Sequence, residues 1–357
     1  MKSNLFIAHT PYHLTLAMTI IKSENLTNNI LLVYNTFNIS DSQINKLNNY
    51  FEEIHIIETK CKASFINKFS IKEWITKCIE VKYDLKNFEY IISKLKEREF
   101  KKIFFSNNTD IEVQILIDTF RRNSTEVYYI EDGCAAYHDI VYEERLFTIK
   151  KILIPKYAVF GYKYKFFRKF SNVSVIGLGR NILGGYYVNK QYIREELKNM
   201  ESHSIDMLSY KEVIKEYYSS NEYINNSIVL IMDHSESGYC NEIINILKFI
   251  KDTGKLIYIK YHPRETNFYS DFLLDTNIRK LDTNINIESI LVNTYGNIII
   301  GNGGSTTFLT CPLICNNKYI ITNSLFNLNI NSRLIEIVKN LGAIEINNFN
   351  DIIKIMD

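Results

Sequence analysis

Short apolar runs alternate along the chain with segments in which apolar residues recur every third or fourth position. Nine runs rich in Ile, Leu, Val, Phe and Tyr predict strands at residues 4–9, 29–34, 54–58, 102–106, 126–131, 227–233, 256–261, 297–301 and 319–322. Between them, 12–22, 42–51, 111–122 and 241–251 carry the i, i+3, i+4 spacing of helices, as Leu14, Met18 and Ile21 illustrate. Residues 65–97 read as a longer helical insertion and hold the single tryptophan, Trp74. Strands that are apolar throughout, alternating with amphipathic helices, imply parallel sheets covered on both faces. The fold class is therefore α/β.

Residues 157–226 show no clear strand series and include a Gly-rich stretch, 177–185, so the domain boundary is expected near residues 200–225. An N-terminal Rossmann-like domain, 1–210, would carry the insertion at 65–97 and a basic segment at 145–194. A C-terminal Rossmann-like domain, 211–357, would complete two parallel sheets facing a cleft. In such sheets ligands bind beyond the carboxyl ends of the strands.

Composition sharpens this picture. A chain of 357 residues exceeds one compact core, and 46% hydrophobic with 23% charged residues is globular. The net charge of +2 argues against nucleic acid as a partner. Its distribution is uneven: Arg145 to Arg194 holds 11 basic residues and no acidic one. Within it, Lys163, Lys165, Arg168 and Lys169 interleave with Tyr162, Tyr164, Phe166, Phe167 and Phe170. Such a patch suits an anionic membrane surface or an anionic glycan, and equally a solvated basic face.

The six cysteines, Cys61, Cys78, Cys134, Cys240, Cys311 and Cys315, form no C-x-x-C pair and no zinc set. Together with the lack of a secretory-type start or a span of ~20 apolar residues, they point to a cytoplasmic protein. Peripheral attachment to the inner face of the membrane and a homodimer are both left open.

The strand ends carry the chemistry. The first strand runs into His9-Thr10-Pro11-Tyr12-His13, where Thr10 and Pro11 read as an N-cap pair or as a cleft-facing loop. The fifth ends in Glu131-Asp132-Gly133, two acids and a turn glycine, suited to a general base or to capping. Asp233 ends the 227–233 run ahead of a polar, Gly-containing loop. His262-Pro263 follows the 256–261 strand, with the proline fixing the turn that presents the imidazole. Last comes Gly301-Asn302-Gly303-Gly304-Ser305-Thr306-Thr307, glycines and hydroxyls opening a helix, which suit an anion site of N–H and O–H donors or a plain glycine turn with an N-cap.

A base on one wall and a phosphate grip with a cationic donor on the other is the layout of a glycosyl transferase using a nucleotide sugar. No Asp-x-Asp occurs in the chain, which favours a leaving group held by protein groups with no metal and no cofactor.

Glu131-Asp132-Gly133, His262-Pro263 and Ser305-Thr306 resemble, in order, the acid-acid-Gly, His-Pro and Ser-Ser/Thr motifs of the bacterial sialyltransferases, including lipooligosaccharide and capsule sialyltransferases and polysialyltransferases. The Thr10-Pro11 start and the Ile287-Glu288 segment are also similar. The resemblance implies a GT-B fold, CMP-sialic acid as donor, a glycan acceptor with a galactose end on lipooligosaccharide or capsule, inversion and no metal. It gives Glu131 or Asp132, with Asp233 as a third candidate, the role of base. His262 would assist departure of CMP, Ser305 and Thr306 would hold its phosphate, and Glu288 would bind the cytidine. A GT-B transferase for another nucleotide sugar, a nucleotide-sugar epimerase and a non-catalytic polysaccharide- or membrane-binding protein are the alternatives.

Overall fold

The computed structural model describes the chain apart from residues 1, 36, 38, 61–70, 138–155, 157–158, 166–172, 174, 219–223, 233–239, 263–264, 266–274, 284, 329 and 357. It divides into two compact units, residues 1–136 with 140–206, and residues 137–139 with 207–357.

The first unit is built on β1 (Ser3–Ala8), β2 (Asn29–Tyr34), β3 (Glu53–Ile57), β4 (Phe100–Phe105), β5 (Glu126–Ile130), β6 (Gly184–Tyr187) and β7 (Glu201–Ser204). These lie in the order β3-β2-β1-β4-β5-β6-β7, with every neighbouring pair parallel. The second unit holds β8 (Ile228–Ile231), β9 (Ile257–Lys260), β10 (Ile278–Lys280), β11 (Tyr295–Gly301), β12 (Asn316–Ile321) and β13 (Ile344–Glu345). Its order is β10-β9-β8-β11-β12-β13, again all parallel.

The apolar runs explain the sheets. Every residue of β1 and β2 is buried, and Phe6 stacks on Phe104 of the neighbouring β4 with ring centroids 4.4 Å apart. In the second unit Ile228, Leu230, Ile257, Ile259, Ile298 and Ile300 share one cluster. Each such side chain contributes about 1.5–3 kcal/mol when fully buried. Strand order reverses direction between β1 and β4 in one sheet and between β8 and β11 in the other. Those two switch points, at the carboxyl ends, are where an open α/β sheet leaves a crevice for ligands.

All nine expected strands occur, with ends shifted by up to three residues. The reading of 157–226 as strandless is corrected, because β6 and β7 extend the first sheet from within it. The glycines that suggested a loop are what let β6 pair. A Cβ on Gly184 would lie 2.3 Å from the Glu201 carbonyl oxygen, closer than any side chain tolerates. β7, Glu201 to Ser204, is a short polar edge strand with no apolar signal.

The basic segment is partly consumed inside its own unit. Lys156 is paired with buried Glu112 and partly exposed Asp110, Arg194 is buried and 2.6 Å from Glu196, and exposed Lys163 is 2.8 Å from Glu89. Lys165 is exposed, while Arg168 and Lys169 lie outside the described residues. Among the described residues no helix is long and apolar enough to cross a membrane.

Candidate active site

At the carboxyl edge of the first sheet, β1 passes directly into the helix Pro11–Ser23. Thr10 caps it by accepting the His13 N–H at 3.2 Å, and Pro11 supplies a fixed first turn. Capping therefore uses the Thr10 hydroxyl, and it sets His13 on the first turn facing the end of β5. His13 is 2% exposed. Its Nδ1 accepts the His9 backbone N–H at 3.2 Å, and its Nε2 lies 2.8 Å from Asp132 Oδ1. A nitrogen that accepts a main-chain N–H must carry its lone pair, so this hydrogen-bond pattern assigns the proton to Nε2, pointing at the carboxylate.

The two adjacent acids are thereby separated in character. Glu131 is fully buried; its Oε1 accepts from the Tyr12 hydroxyl and its Oε2 accepts the Val188 N–H at 2.8 Å. Asp132 keeps 27% of its side chain exposed, and its N–H donates to the Tyr129 hydroxyl at 2.9 Å. Glu131 ties β5 to the helix and to the residue after β6, whereas Asp132 faces solvent. Gly133 opens a 3-10 turn, Gly133–Ala136, that ends the strand.

Behind this pair sits a charged cluster. His9 stacks on Tyr34 at 4.3 Å, and burial pushes its pKa down to about 4 against the pull of Asp110. Lys156 Nζ lies 2.6 Å from Glu112 and 3.5 Å from Asp110. Burial raises the Glu112 carboxyl to about 8 despite Lys156. For Asp110, burial also acts to raise the pKa, but the Lys156 and His9 charges outweigh it and hold the group below the usual range.

The carboxyl edge of the second sheet is chemically different. Following β11, Asn302 Oδ1 accepts the Gly304 N–H at 2.8 Å, and Ser305 Oγ accepts the Thr307 N–H at 3.3 Å. Gly303 takes φ of +90°, and a Cβ there would lie 2.9 Å from Ile335, so the turn requires glycine. Gly304, Ser305 and Thr306 are partly exposed at the start of the helix Thr307–Ile314, and the Thr306 side chain makes no cap hydrogen bond. The result is a turn of N–H and hydroxyl donors at a positive helix end.

His262 follows β9, partly buried, and its carbonyl accepts the Glu265 N–H at 2.9 Å. Glu288, on the short helix Ile287–Leu291, is 5% exposed and accepts from the Thr310 hydroxyl at 3.4 Å. Burial raises its carboxyl above the usual range. Lys260 donates to the carbonyls of Thr283 at 3.0 Å and Tyr261 at 3.3 Å, bracing the turn that carries His262. Burial brings that ammonium down to about 8 even with Glu288 near it.

The sequence-predicted residues thus fall into two sets, each at the carboxyl edge of its own sheet. Thr10, Pro11, Glu131, Asp132 and Gly133 belong to the first; His262, Glu288, Gly303, Gly304, Ser305 and Thr306 belong to the second. Asp233 and Pro263 lie outside the described residues. Sequence reasoning gave no role to His13, Tyr12, the Asp110–Glu112–Lys156 cluster or Lys260. The usable signal for His13 was its place three residues after the Thr10 cap, which turns it inward. Among the described residues no group of three His, Cys, Asp or Glu is placed to hold a metal ion.

Solved structures match this architecture along its whole length. An α/β-galactoside α-2,3-sialyltransferase from Photobacterium phosphoreum aligns with a TM-score of 0.51 and 14% identity, covering 98% of this chain and 99% of the other. The GT-B domain of a Photobacterium damselae sialyltransferase aligns with a TM-score of 0.50 and 13% identity, covering 96% and 97%. The glycotransferase of kitacinnamycin gives 0.50 at 9% identity, covering 100% and 91%. A comparison with curated protein sequences gives no match.

Two all-parallel α/β units in this strand order have the GT-B fold. The model of the alpha-2,8-polysialyltransferase family matches residues 4–324, and the chain belongs to that family. It is a sialyltransferase.

Proposed function

We propose that the protein transfers sialic acid from CMP-sialic acid to a hydroxyl of a glycan, with inversion at the anomeric carbon and without a metal. The observation that carries this reading is the family match across residues 4–324, which includes all three motifs. The family's description favours an α-2,8 linkage, so that the acceptor hydroxyl belongs to a terminal sialic acid, as in a capsule polymer. A galactose-terminated acceptor is the other arm of the test.

Asp132 is the base. Its carboxylate is partly open and has one oxygen held by His13, whereas Glu131 is closed off with both oxygens engaged. The acceptor proton passes to Asp132 as the acceptor oxygen bonds to sialyl C2. The bond from C2 to the phosphate oxygen breaks, and its electron pair leaves with CMP. Charge growing on that phosphate is met by the Gly303–Thr306 turn and by His262, groups that stabilise the transition state more than the ground state. Glu288, buried beside Thr310, binds the cytidine. Lys163 and Lys165, with Arg168 and Lys169, would steer an anionic glycan or rest on an anionic membrane.

The test is CMP release from CMP-sialic acid in EDTA, with sialic-acid-terminated, galactose-terminated or no acceptor, and the product linkage read by NMR. Acceptor-dependent, EDTA-resistant release giving an α-2,8 product is expected. Turnover that needs a metal, or that proceeds equally without acceptor, contradicts the proposal.

A further inference from the structure

The contact between the start of the first helix and the end of β5 is built more carefully than helix packing requires. Residues 119 apart in sequence meet at 2.8 Å, His13 Nε2 on Asp132 Oδ1. The imidazole is held at its other nitrogen by the His9 main chain, and its backbone N–H is held by the Thr10 cap. Each polar group of His13 on the side facing the site therefore has a fixed partner, in a residue 2% exposed.

We infer that His13 is a positioning residue for the acceptor-activating carboxylate. It donates to Asp132 Oδ1, orients the carboxylate plane and leaves Oδ2 to accept the proton of the incoming hydroxyl. This rests on the reading of Asp132 as base. His13 is not itself a proton relay, because its Nδ1 is occupied by a main-chain donor and offers no onward path. The proton that leaves the acceptor oxygen stays on Asp132 Oδ2 until solvent removes it. The other titratable groups facing the pair are His9 from the end of β1, Tyr12 from the helix, Tyr129 and Glu131 from β5 and its exit, and, through His9, Asp110 and Lys156.

The experiment compares His13→Leu, His13→Gln and Asp132→Asn in the full-length protein. Leu and Gln fill similar volume, but only Gln places an N–H donor where Nε2–H sits. His13→Leu is expected to lower kcat by about 10- to 100-fold, the worth of one hydrogen bond to a charged group, with donor KM little changed. His13→Gln should recover most of the rate. A ¹⁵N spectrum of histidine-labelled protein gives a readout that needs no His13→Leu fold. It should show His13, assigned by its loss in His13→Gln, protonated at Nε2, and that signal should shift in Asp132→Asn.

An unchanged kcat in a folded His13→Leu, or a His13 ring protonated at Nδ1, overturns the inference while leaving Asp132 as base. Full kcat in Asp132→Asn removes the base assignment and this inference together.

Discussion

The two carboxyl edges sit at equivalent places in equivalent sheets and are furnished in opposite ways. The first is dense with ionisable groups that answer to one another: Asp132 to His13, Glu131 to Tyr12, and Lys156 to Asp110 and Glu112. The second presents a glycine turn with hydroxyls and a partly buried histidine, while Glu288 and Lys260 are buried. Proton transfer needs a group whose charge state is controlled by fixed neighbours. A departing phosphate needs aimed donors, which neutral N–H and O–H groups supply without the desolvation cost of a buried cation. Under the proposed mechanism the difference is a division of labour written in residue types.

The sharpest way to break the comparison is to neutralise each acid of the first edge in turn. Asp132→Asn is expected to lower kcat by about 10²- to 10⁴-fold, the range for loss of a general base. Glu131→Gln should lower the melting temperature and spare most of kcat, because Glu131 braces the Tyr12 hydroxyl and the Val188 N–H. Steady-state kinetics beside thermal unfolding checks both. A stable, inactive Glu131→Gln would exchange the two roles.

Next in size is Lys156→Met. It removes the cation from buried Glu112 and partly exposed Asp110, and breaking a buried pair costs about 3–5 kcal/mol. The lower end is expected because Glu112, already pushed to about 8, readily takes a proton. Denaturant unfolding measures it. On the second edge, His262→Ala should reduce kcat by about 10²- to 10³-fold, typical for one transition-state donor, and should change donor KM far less. A variant altered only in KM would make His262 a ground-state contact.

The smallest effect is a pH dependence of stability. The pKa of His9 is about 4 in the fold against 6.5 when free, so the unfolded chain takes the proton first. The His9 contribution is complete above pH 6.5 and is lost as the pH falls towards 4. Glu112 acts in the opposite sense between 4.5 and 8, so the wild type alone does not isolate the effect. The stability difference between wild type and His9→Gln should shrink across the window from 6.5 to 4 by roughly 1–3 kcal/mol. Unfolding curves at several pH values read it directly, and a constant difference would remove His9 from the account.

How far the sequence spoke follows from the range of each interaction. Central strands such as β1 and β11 were legible because burial on both faces demands continuous apolar residues. β6 was not, since its pairing depends on glycines that read locally as a turn. β7 and β10 are short edge strands with charged or polar residues. The site divides in the same way. Glu131, Asp132, His262, Ser305 and Thr306 could be singled out as candidates because strand ends are local features. His13 was passed over because its meaning lies in a carboxylate 119 residues away. The separation of Glu131 from Asp132 was likewise invisible, since adjacent acids differ only in what the fold places around them.

The division between the edges is tested most directly by equilibrium binding of CMP to the wild type, to a Ser305→Ala/Thr306→Val double variant and to Asp132→Asn. The account predicts that Kd rises at least about tenfold in the double variant, as expected for lost hydrogen bonds to a charged phosphate, and is unchanged in Asp132→Asn. Normal binding by the double variant, or its loss in Asp132→Asn, would contradict it.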